Sequence, residues 1–415
     1  MTIEIEIAGL GAQGDGIAET ASGTRYVPFA LPGERVRIAG GNAPELLSPP
    51  SADRATPICR HFGVCGGCVA QHMRDGLYAD WKRGIVVEAL HQRGLTPEVA
   101  PLVRVVPHSR RRAVLTARRQ RDGQATLGYH RRKSAELVDL QECPVLEPAI
   151  VERLAALRAI AAALAAREAR LTVLATSAGL DISAEHAGNR LGAAAVSEIA
   201  RIAAEQQLAR VAVNGETVVE RAPPALAFAG IDAVPPPGAF VQAVEAAELE
   251  MTRLVREAVA GSTRVADLFC GIGTFTLALA RKARVLALDS DDKALAALDA
   301  AVRGAQGLKP VETKLRDLLR IPLSAKELEG FDAVVFDPPR AGAKAQAERL
   351  AQSQVPLVVA VSCDPGTLAR DLRILVDGGY SIGNVTPIDQ FLFSAHVEAV
   401  AILRRPAPVR RLRSP

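Results

Sequence analysis

Six cysteines stand in this chain of 415 residues, and five of them fall where chemistry has a use for sulfur. Cys363 lies in VSCDPGTLARDL, where an apolar run, 356–362, meets Asp364, Pro365 and Gly366 and then a helical pattern. A thiol at such a junction is either a small buried hydrophobe, the commoner case, or a nucleophile. In the second case a helix start and cations such as Arg340 or Arg370 would favour its thiolate. Cys59, Cys65 and Cys68 are spaced C-x5-C-x2-C, and Cys143 follows in QECPVLEP. Thiols so close together read as metal or cluster ligands, and a Cys-Pro pair is common beside cluster ligands. Structural zinc usually draws on two close pairs, whereas here the fourth cysteine stands alone. The spacing therefore favours a closed, structural iron–sulfur cluster over zinc.

Composition narrows the setting. Apolar residues make up 49% of the chain and aromatics only 4%, so a folded core built largely from Ala, Val and Leu is expected. The length suggests two to three domains. No apolar run reaches the roughly 18 residues that span a bilayer, and no basic-then-apolar leader opens the chain. The expected address is the cytoplasm, where structural disulfides are rare; the cysteines need another explanation. A net charge of +4 decides little, but ten Lys/Arg and a single acid, Asp122, lie between Arg104 and Lys133. That cluster is a solvated face or a footprint for phosphates, and clustering favours the footprint.

The elements that must position these residues follow from pattern. Residues 1–48 alternate in short runs broken by Gly9–Gly16 and by LPGE, which predicts a small β-barrel. Residues 113–139 alternate around Asp122-Gly123, a hairpin signal, so the arginines ride on a β-ribbon. Helical runs near 150–168 and 194–207 and a second hairpin at Asn214-Gly215 complete the central stretch. From Thr263 strand and helix patterns alternate, with strands at 264–269, 284–289, 311–315, 332–336 and 356–362 and a late strand in HVEAVAILRR. That rhythm predicts a doubly wound, mostly parallel sheet.

Ligands of such a sheet bind beyond the carboxyl ends of its strands. After the first strand comes DLFCGIGTF, whose Gly271 and Gly273 allow close backbone approach as a helix begins. After the second comes Asp289, at the distance expected for an acid holding a ribose diol. The pair fits a nucleoside cofactor, with S-adenosylmethionine and NAD both open on geometry. Cys270, inside the loop, reads as packing. After the fourth strand stands FDPPR with Asp337; after the fifth, Cys363; and late in the chain, Glu398. Three reactive groups on one cleft suit carbon methylation, and a hydride transfer has no need of them.

The four cysteines, DLFCGIGTF, DPPR, SCDPGTLARDL and HVEAV together resemble the bacterial RNA uracil-C5 methyltransferases, in particular the branch acting on 23S ribosomal RNA. The resemblance covers nearly the whole chain. It implies a multidomain α/β protein with a TRAM-like OB β-barrel at 1–48 and a central α+β RNA-binding domain carrying the iron–sulfur cysteines at 55–240. A doubly wound, Rossmann-like class I methyltransferase domain would follow at 241–407, and a basic tail at 408–415. It further implies S-adenosylmethionine and a [4Fe-4S] cluster held by Cys59, Cys65, Cys68 and Cys143. Cys363 would be the nucleophile that adds to uracil C6, Glu398 the general base, and Asp337 a positioning group. Gln242, Phe269, Gly271, Gly273, Thr274, Asp289, Asp317 and Asp337 would surround the cofactor. Asp364 stands where the family often has Asn, and of the family's FQVN only Gln242 is kept in Val241–Val244. The expected partner is RNA, 23S rRNA ahead of the tRNA T-loop, for a monomer with no membrane attachment. Methylation of an exocyclic amine fits less well, since Arg340 follows DPP where an aromatic is expected and an amine target has no use for Cys363. A non-catalytic RNA-binding or ribosome-assembly factor is the alternative of another class.

Overall fold

The structure is a computed structural model that describes residues 2–39, 44–186, 188 and 191–406; the tail expected at 408–415 lies outside them. The N-terminal segment forms six short strands, β1 (Thr2–Glu6), β2 (Gly9–Leu10), β3 (Gly16–Thr20), β4 (Gly23–Val27), β5 (Arg35–Ala39) and β6 (Glu45–Leu46). They pair as two three-stranded antiparallel sheets, β1-β5-β6 and β2-β3-β4. Ile7, Ala18, Val27, Ala30 and Val36 fill a small core of their own. The LPGE turn is locked from inside: buried Glu34 accepts the Leu31 amide at 2.8 Å and a 2.6 Å bond from Arg54.

The cysteine-bearing loop leads into α1 (Asp75–His91). Its single tryptophan, Trp81, donates to Gly11 O at 2.9 Å and so ties the helix to the N-terminal unit. The chain then runs along the edge of the last sheet, with Ala100 N bonded to Val385 O and Val103 N to Pro387 O, each at 2.9 Å. Thus α1 and the segment after it, although within 55–240, pack against the C-terminal sheet.

The central sheet contains β7 (Arg112–Arg119), β8 (Ala125–His130), β9 (Leu137–Asp139), β10 (Glu168–Thr176), β11 (Gly179–His186), β12 (Arg210–Val213) and β13 (Glu216–Glu220). Their order is β13-β12-β11-β10-β7-β8-β9. Between strands lie α2 (Pro148–Val151), α3 (Leu154–Ala163) and α4 (Ala193–Glu205). Both anticipated hairpins form, β7-β8 through Gly123 and β12-β13 through Asn214-Gly215. The long pair β10-β11 is a feature that alanine content conceals. ATSAGL and its flanks have helical propensity, but Leu171, Val173, Leu180 and Ile182 bury their alternate faces, and tertiary packing overrides propensity. Accordingly the first helical run stops at Ala163 and does not reach 168.

After the hairpin β14 (Leu226–Phe228) and β15 (Ile231–Ala233) and helix α5 (Glu245–Ala258) comes the last domain. It is built from β16 (Arg264–Leu268), α6 (Thr276–Leu279), β17 (Arg284–Asp289), α7 (Asp292–Gly304), β18 (Val311–Leu315), β19 (Ala333–Phe336), α8 (Lys344–Ala351), β20 (Leu357–Ser362), α9 (Pro365–Asp377), β21 (Ser381–Ile388) and β22 (Glu398–Arg404). The sheet order is β18-β17-β16-β19-β20-β22-β21, parallel from β18 to β20 and antiparallel at β22. This is the expected doubly wound sheet with one unforeseen strand, β21. Its SIGNVTPI sequence is rich in turn formers, which an edge position with a register shift between Ile382 and Val385 tolerates. No helix among the described residues is long and apolar enough to cross a membrane.

Candidate active site

The carboxyl ends of β16, β17, β19 and β20 open on a cavity of about 580 Å³. Gln242, Phe269, Gly271, Asp289, Asp317, Asp337, Cys363 and Glu398 all line it. The fold therefore gathers the three reactive groups and most of the expected cofactor positions from strand ends far apart in sequence. Two expected positions do not reach the cavity. Gly273 is buried behind it: at φ 97° it packs so closely on α7 that an added Cβ would meet Leu298 Cδ1 at 2.4 Å. Its missing Cβ permits this close packing, and Thr274 beside it is absent from the cavity wall.

The loop after β16 carries strain at the point where a ligand would sit. Phe269 adopts φ 62°, a conformation costly for an aromatic residue and one that clusters at functional sites. Asp289 Oδ2 accepts the Gly271 amide at 2.8 Å, so the acid at the end of β17 and the glycine turn are one unit. Asp317 lines the cavity while Oδ1 caps its own turn through the amides of Leu319 and Arg320.

Cys363 sits where β20 ends and α9 begins. Asp364 is the helix N-cap, accepting Thr367 N at 2.9 Å, with Pro365 at the first helical position. Asp caps as well as Asn, so the departure from the family pattern leaves the helix start intact. The thiol itself is not poised as a thiolate, contrary to expectation. Burial, then the neighbouring charges of Glu398 and Asp337, push it up to about 11; Arg340 opposes them without prevailing. Arg370 is turned away, bonded to Asp371 and to Ala341 O.

The two carboxyls face each other electrostatically. Burial pushes Asp337 up to about 7, and burial together with Asp337 holds Glu398 well above the usual carboxylate range. A hydrogen-bonded chain joins them. Gln242 Nε2 donates to Asp337 Oδ2 at 2.9 Å, Gln390 Nε2 donates to Gln242 Oε1 at 2.8 Å, and the same Gln390 nitrogen donates to Glu398 Oε2 at 3.0 Å. Gln390 was not among the residues singled out from sequence. It lies in IDQF between β21 and β22, and the unforeseen strand β21 is what delivers it.

The cysteine quartet converges through ties between its two segments. Arg60 N donates to Glu142 Oε1 at 2.8 Å, and Gln141 N donates to His61 Nε2 at 3.1 Å. These bring Cys143 beside the 59–68 loop. Gly66 lies so close to β8 that a Cβ would meet His130 O at 2.8 Å. Cys59, Cys65, Cys68 and Cys143 line a second cavity of about 680 Å³, which Arg110 and Arg340 share with the first. Among the described residues no three His, Cys, Asp or Glu side chains converge tightly enough to hold a metal ion. Burial and the neighbouring thiols push Cys68 up to about 12.

The basic ribbon divides into two sets. Arg104, Arg111, Arg118, Arg131 and Arg132 pair with Asp75, Glu248, Glu168, Glu136 and Asp15. Arg110, Arg112, Arg119, Arg121 and Lys133 make no ion pair among the described residues. Arg110 and Arg112 line the active-site cavity, stacked over Phe391 and Phe240.

A doubly wound sheet whose strand ends gather a cavity, a cysteine and two carboxyls is the setting in which a carbon methyltransferase would work. The tRNA (Uracil-5-)-methyltransferase family matches residues 235–406. An uncharacterised RNA methyltransferase of Rhizobium meliloti (strain 1021) is 51% identical over 97% of this chain and 99% of its own length. The 23S rRNA (uracil(1939)-C(5))-methyltransferase RlmD of Chromohalobacter salexigens is 35% identical over 97% of this chain and 90% of its own. The crystal structure of Pyrococcus abyssi tRNA (uracil-54, C5)-methyltransferase, in complex with S-adenosyl-L-homocysteine, shares the fold with a TM-score of 0.74 at 23% identity. It covers 96% of this chain and 99% of that one. The chain belongs to the RNA uracil-C5 methyltransferase family, enzymes that depend on S-adenosylmethionine.

Proposed function

We propose that this enzyme methylates C5 of a uridine in 23S rRNA through a covalent bond between Cys363 and uracil C6. The observation that carries the reading is the convergence of Cys363, Asp337 and Glu398 on one cavity with Gln242, Phe269, Gly271 and Asp289. Uracil C5 is a weak nucleophile. Addition of the Cys363 sulfur to C6 places the ring electrons at C5, and Asp337 can take up the thiol proton, leaving Glu398 ionised. Bound S-adenosylmethionine supplies an electrophilic methyl group, and the cavity wall from Phe269 to Asp317 is suited to hold it. Glu398 then removes the C5 proton; the C–H electron pair becomes the C5–C6 double bond and the C6–S pair leaves with Cys363. A carboxyl held above its usual range by burial is suited to that base role. The target base must leave its stack to enter the cavity, which agrees with a cytoplasmic enzyme docking on a loop through the unpaired cations and the N-terminal β-unit. We read that unit, 1–48, as TRAM-like.

The quartet is proposed to hold a [4Fe-4S] cluster. Four thiols lining one cavity supply the donor chemistry, and the lone fourth cysteine suits a cluster better than structural zinc, which usually draws on two close pairs. Cluster assembly would displace the four protons.

Ribosomal RNA is favoured because the relative that shares 97% of this chain at 35% identity acts on 23S rRNA by its name. A tRNA uridine is the second reading, favoured by the likeness to the tRNA enzyme over nearly the full length. Mass-spectrometric mapping of 5-methyluridine in rRNA and tRNA from a strain lacking the protein separates the two. RNA carrying 5-fluorouridine should form a denaturant-resistant adduct with the wild type and none with Cys363→Ala. A Cys363→Ala enzyme that still methylates C5 overturns the covalent route.

A further inference from the structure

The Gln390 side chain makes three hydrogen bonds in one buried place. Its Oε1 accepts Ala243 N at 2.9 Å, and its Nε2 donates to Gln242 Oε1 and to Glu398 Oε2. The residue is 1% exposed. The orientation of this amide is fixed by its partners, because the opposite flip would set a carbonyl against a carboxylate and a carbonyl, and an NH2 against a backbone N–H. The backbone beneath it is equally fixed. Asp389 N bonds to Val103 O at 2.8 Å, and the Asp389 carboxylate is held by Lys82 at 2.9 Å and Tyr78 at 2.7 Å.

We infer that Gln390 is a positioning residue for proton removal at C5, gripping Glu398 by one carboxylate oxygen and fixing the Gln242 amide in the same act. The inference rests on the proposed role of Glu398 as the base. Gln390 presents only N–H to Glu398, so it supports the ionised carboxylate and cannot accept a proton from it. With Oε2 engaged, Glu398 Oε1 has no hydrogen-bond partner among the described residues and is the oxygen left to receive the C5 proton. In the same way, occupation of Gln242 Oε1 by Gln390 directs Gln242 Nε2 toward Asp337. One amide thus orders both the base and the group bonded to Asp337. Without it, Glu398 remains buried beside Asp337 with no donor in reach.

The test is a single-turnover reaction of the full-length enzyme with methyl-labelled S-adenosylmethionine and substrate RNA, quenched into denaturant. Methyl transfer to RNA and release of RNA from protein are followed separately. Gln390→Met keeps the side-chain length and removes the three bonds. It should slow release by about 10- to 100-fold, a part of the roughly 100- to 10,000-fold that a general base contributes, because the base is loosened and not removed, and slow methyl transfer at least tenfold less. Methylated RNA should therefore stay attached to the protein, at saturating cofactor and RNA. Gln390→Asn keeps an amide one methylene short and should show the same retention to a lesser degree, which preserves the test if the Met variant folds poorly. A merely structural role would slow transfer and release alike at saturating cofactor and RNA, and that result overturns the inference. Retention in Glu398→Gln with none in either Gln390 variant also overturns it, leaving the base assignment standing. Failure of Glu398→Gln to retain methylated RNA overturns the base assignment itself.

Discussion

Lys82 Nζ lies 2.9 Å from Asp389 Oδ1, and neither side chain is exposed to solvent. The same ammonium donates to the carbonyls of Phe391 and His396, so it ties the loop at two points. Val69 N and Ala70 N grip Phe393 O, and Tyr78 Oη receives Phe393 N. Helix α1 and the cysteine loop together therefore hold the loop that carries Gln390 and leads to Glu398.

Removing one partner of a buried pair leaves the other charge unpaired, at a cost of about 3–5 kcal/mol. Lys82→Met should therefore lower unfolding stability by about that much, read from denaturant melts. Lys82→Met with Asp389→Leu should recover part of the loss, since no charge is then stranded. Both variants should lose methylation activity, because the loop is no longer anchored. Equal stability of Lys82→Met and wild type would show that the pair contributes little.

The pH dependence of adduct formation follows from the state of Cys363. Its thiol is raised to about 11, so the thiolate fraction grows about tenfold per pH unit throughout the neutral range. Glu398 is also held above its usual range and must be ionised to remove the C5 proton, so product release should rise with pH as well, although its charge holds the thiol up. The single-turnover rate of adduct formation should climb from pH 6 to pH 9 without a plateau. Arg340 is the cation that lowers the thiol, so Arg340→Gln should raise its pKa further and slow the reaction by the same factor across that range. A rate already flat below pH 7 would mean a thiol far more acidic than its surroundings dictate.

Phosphate binding should follow the division of the basic ribbon. Arg119 and Arg121 are exposed and without an ion pair among the described residues, whereas Arg118 shares its charge with Glu168 at 2.9 Å. Each phosphate contact on single-stranded nucleic acid contributes about 0.7 to the slope of log affinity against log salt. Arg119→Ala with Arg121→Ala should flatten that slope by about 1.4 and leave cofactor affinity near wild type. An unchanged slope in RNA-binding titrations would return these residues to the role of a solvated face.

The reactive positions were legible in sequence because a doubly wound sheet puts strand ends together whatever lies between them; Asp289, Asp337 and Cys363 needed only the strand rhythm to be placed. Glu398 and Gln390 depend instead on β21 and on the loop staple of Lys82, a residue more than three hundred positions away. No local pattern announces that contact, and the turn-rich β21 sequence hides the strand. The thiol's protonation was misread for a related reason. Helix start and arginines are visible along the chain, but burial and two carboxyls converge only in space. Gly273 shows the reverse case, where a glycine in a binding motif serves packing.

The quartet can be tested apart from catalysis. Protein purified without oxygen should contain iron and acid-labile sulfide, with a broad visible absorbance bleached by reductant. Cys59→Ser should lose that absorbance. The cysteine loop grips Phe393 directly through Val69 and Ala70, so loss of the cluster should also loosen the loop that carries Gln390. Hydrogen exchange at the Phe393 amide should then rise in the Cys59→Ser variant or after removal of iron by a chelator. Cofactor binding at the ends of β16 and β17 should change little, because neither Phe269 nor Asp289 touches the loop. Stoichiometric zinc with no iron in the anaerobic protein would overturn the cluster. Unchanged exchange at Phe393 after iron loss would leave the cluster in place and dismiss its hold on the catalytic loop.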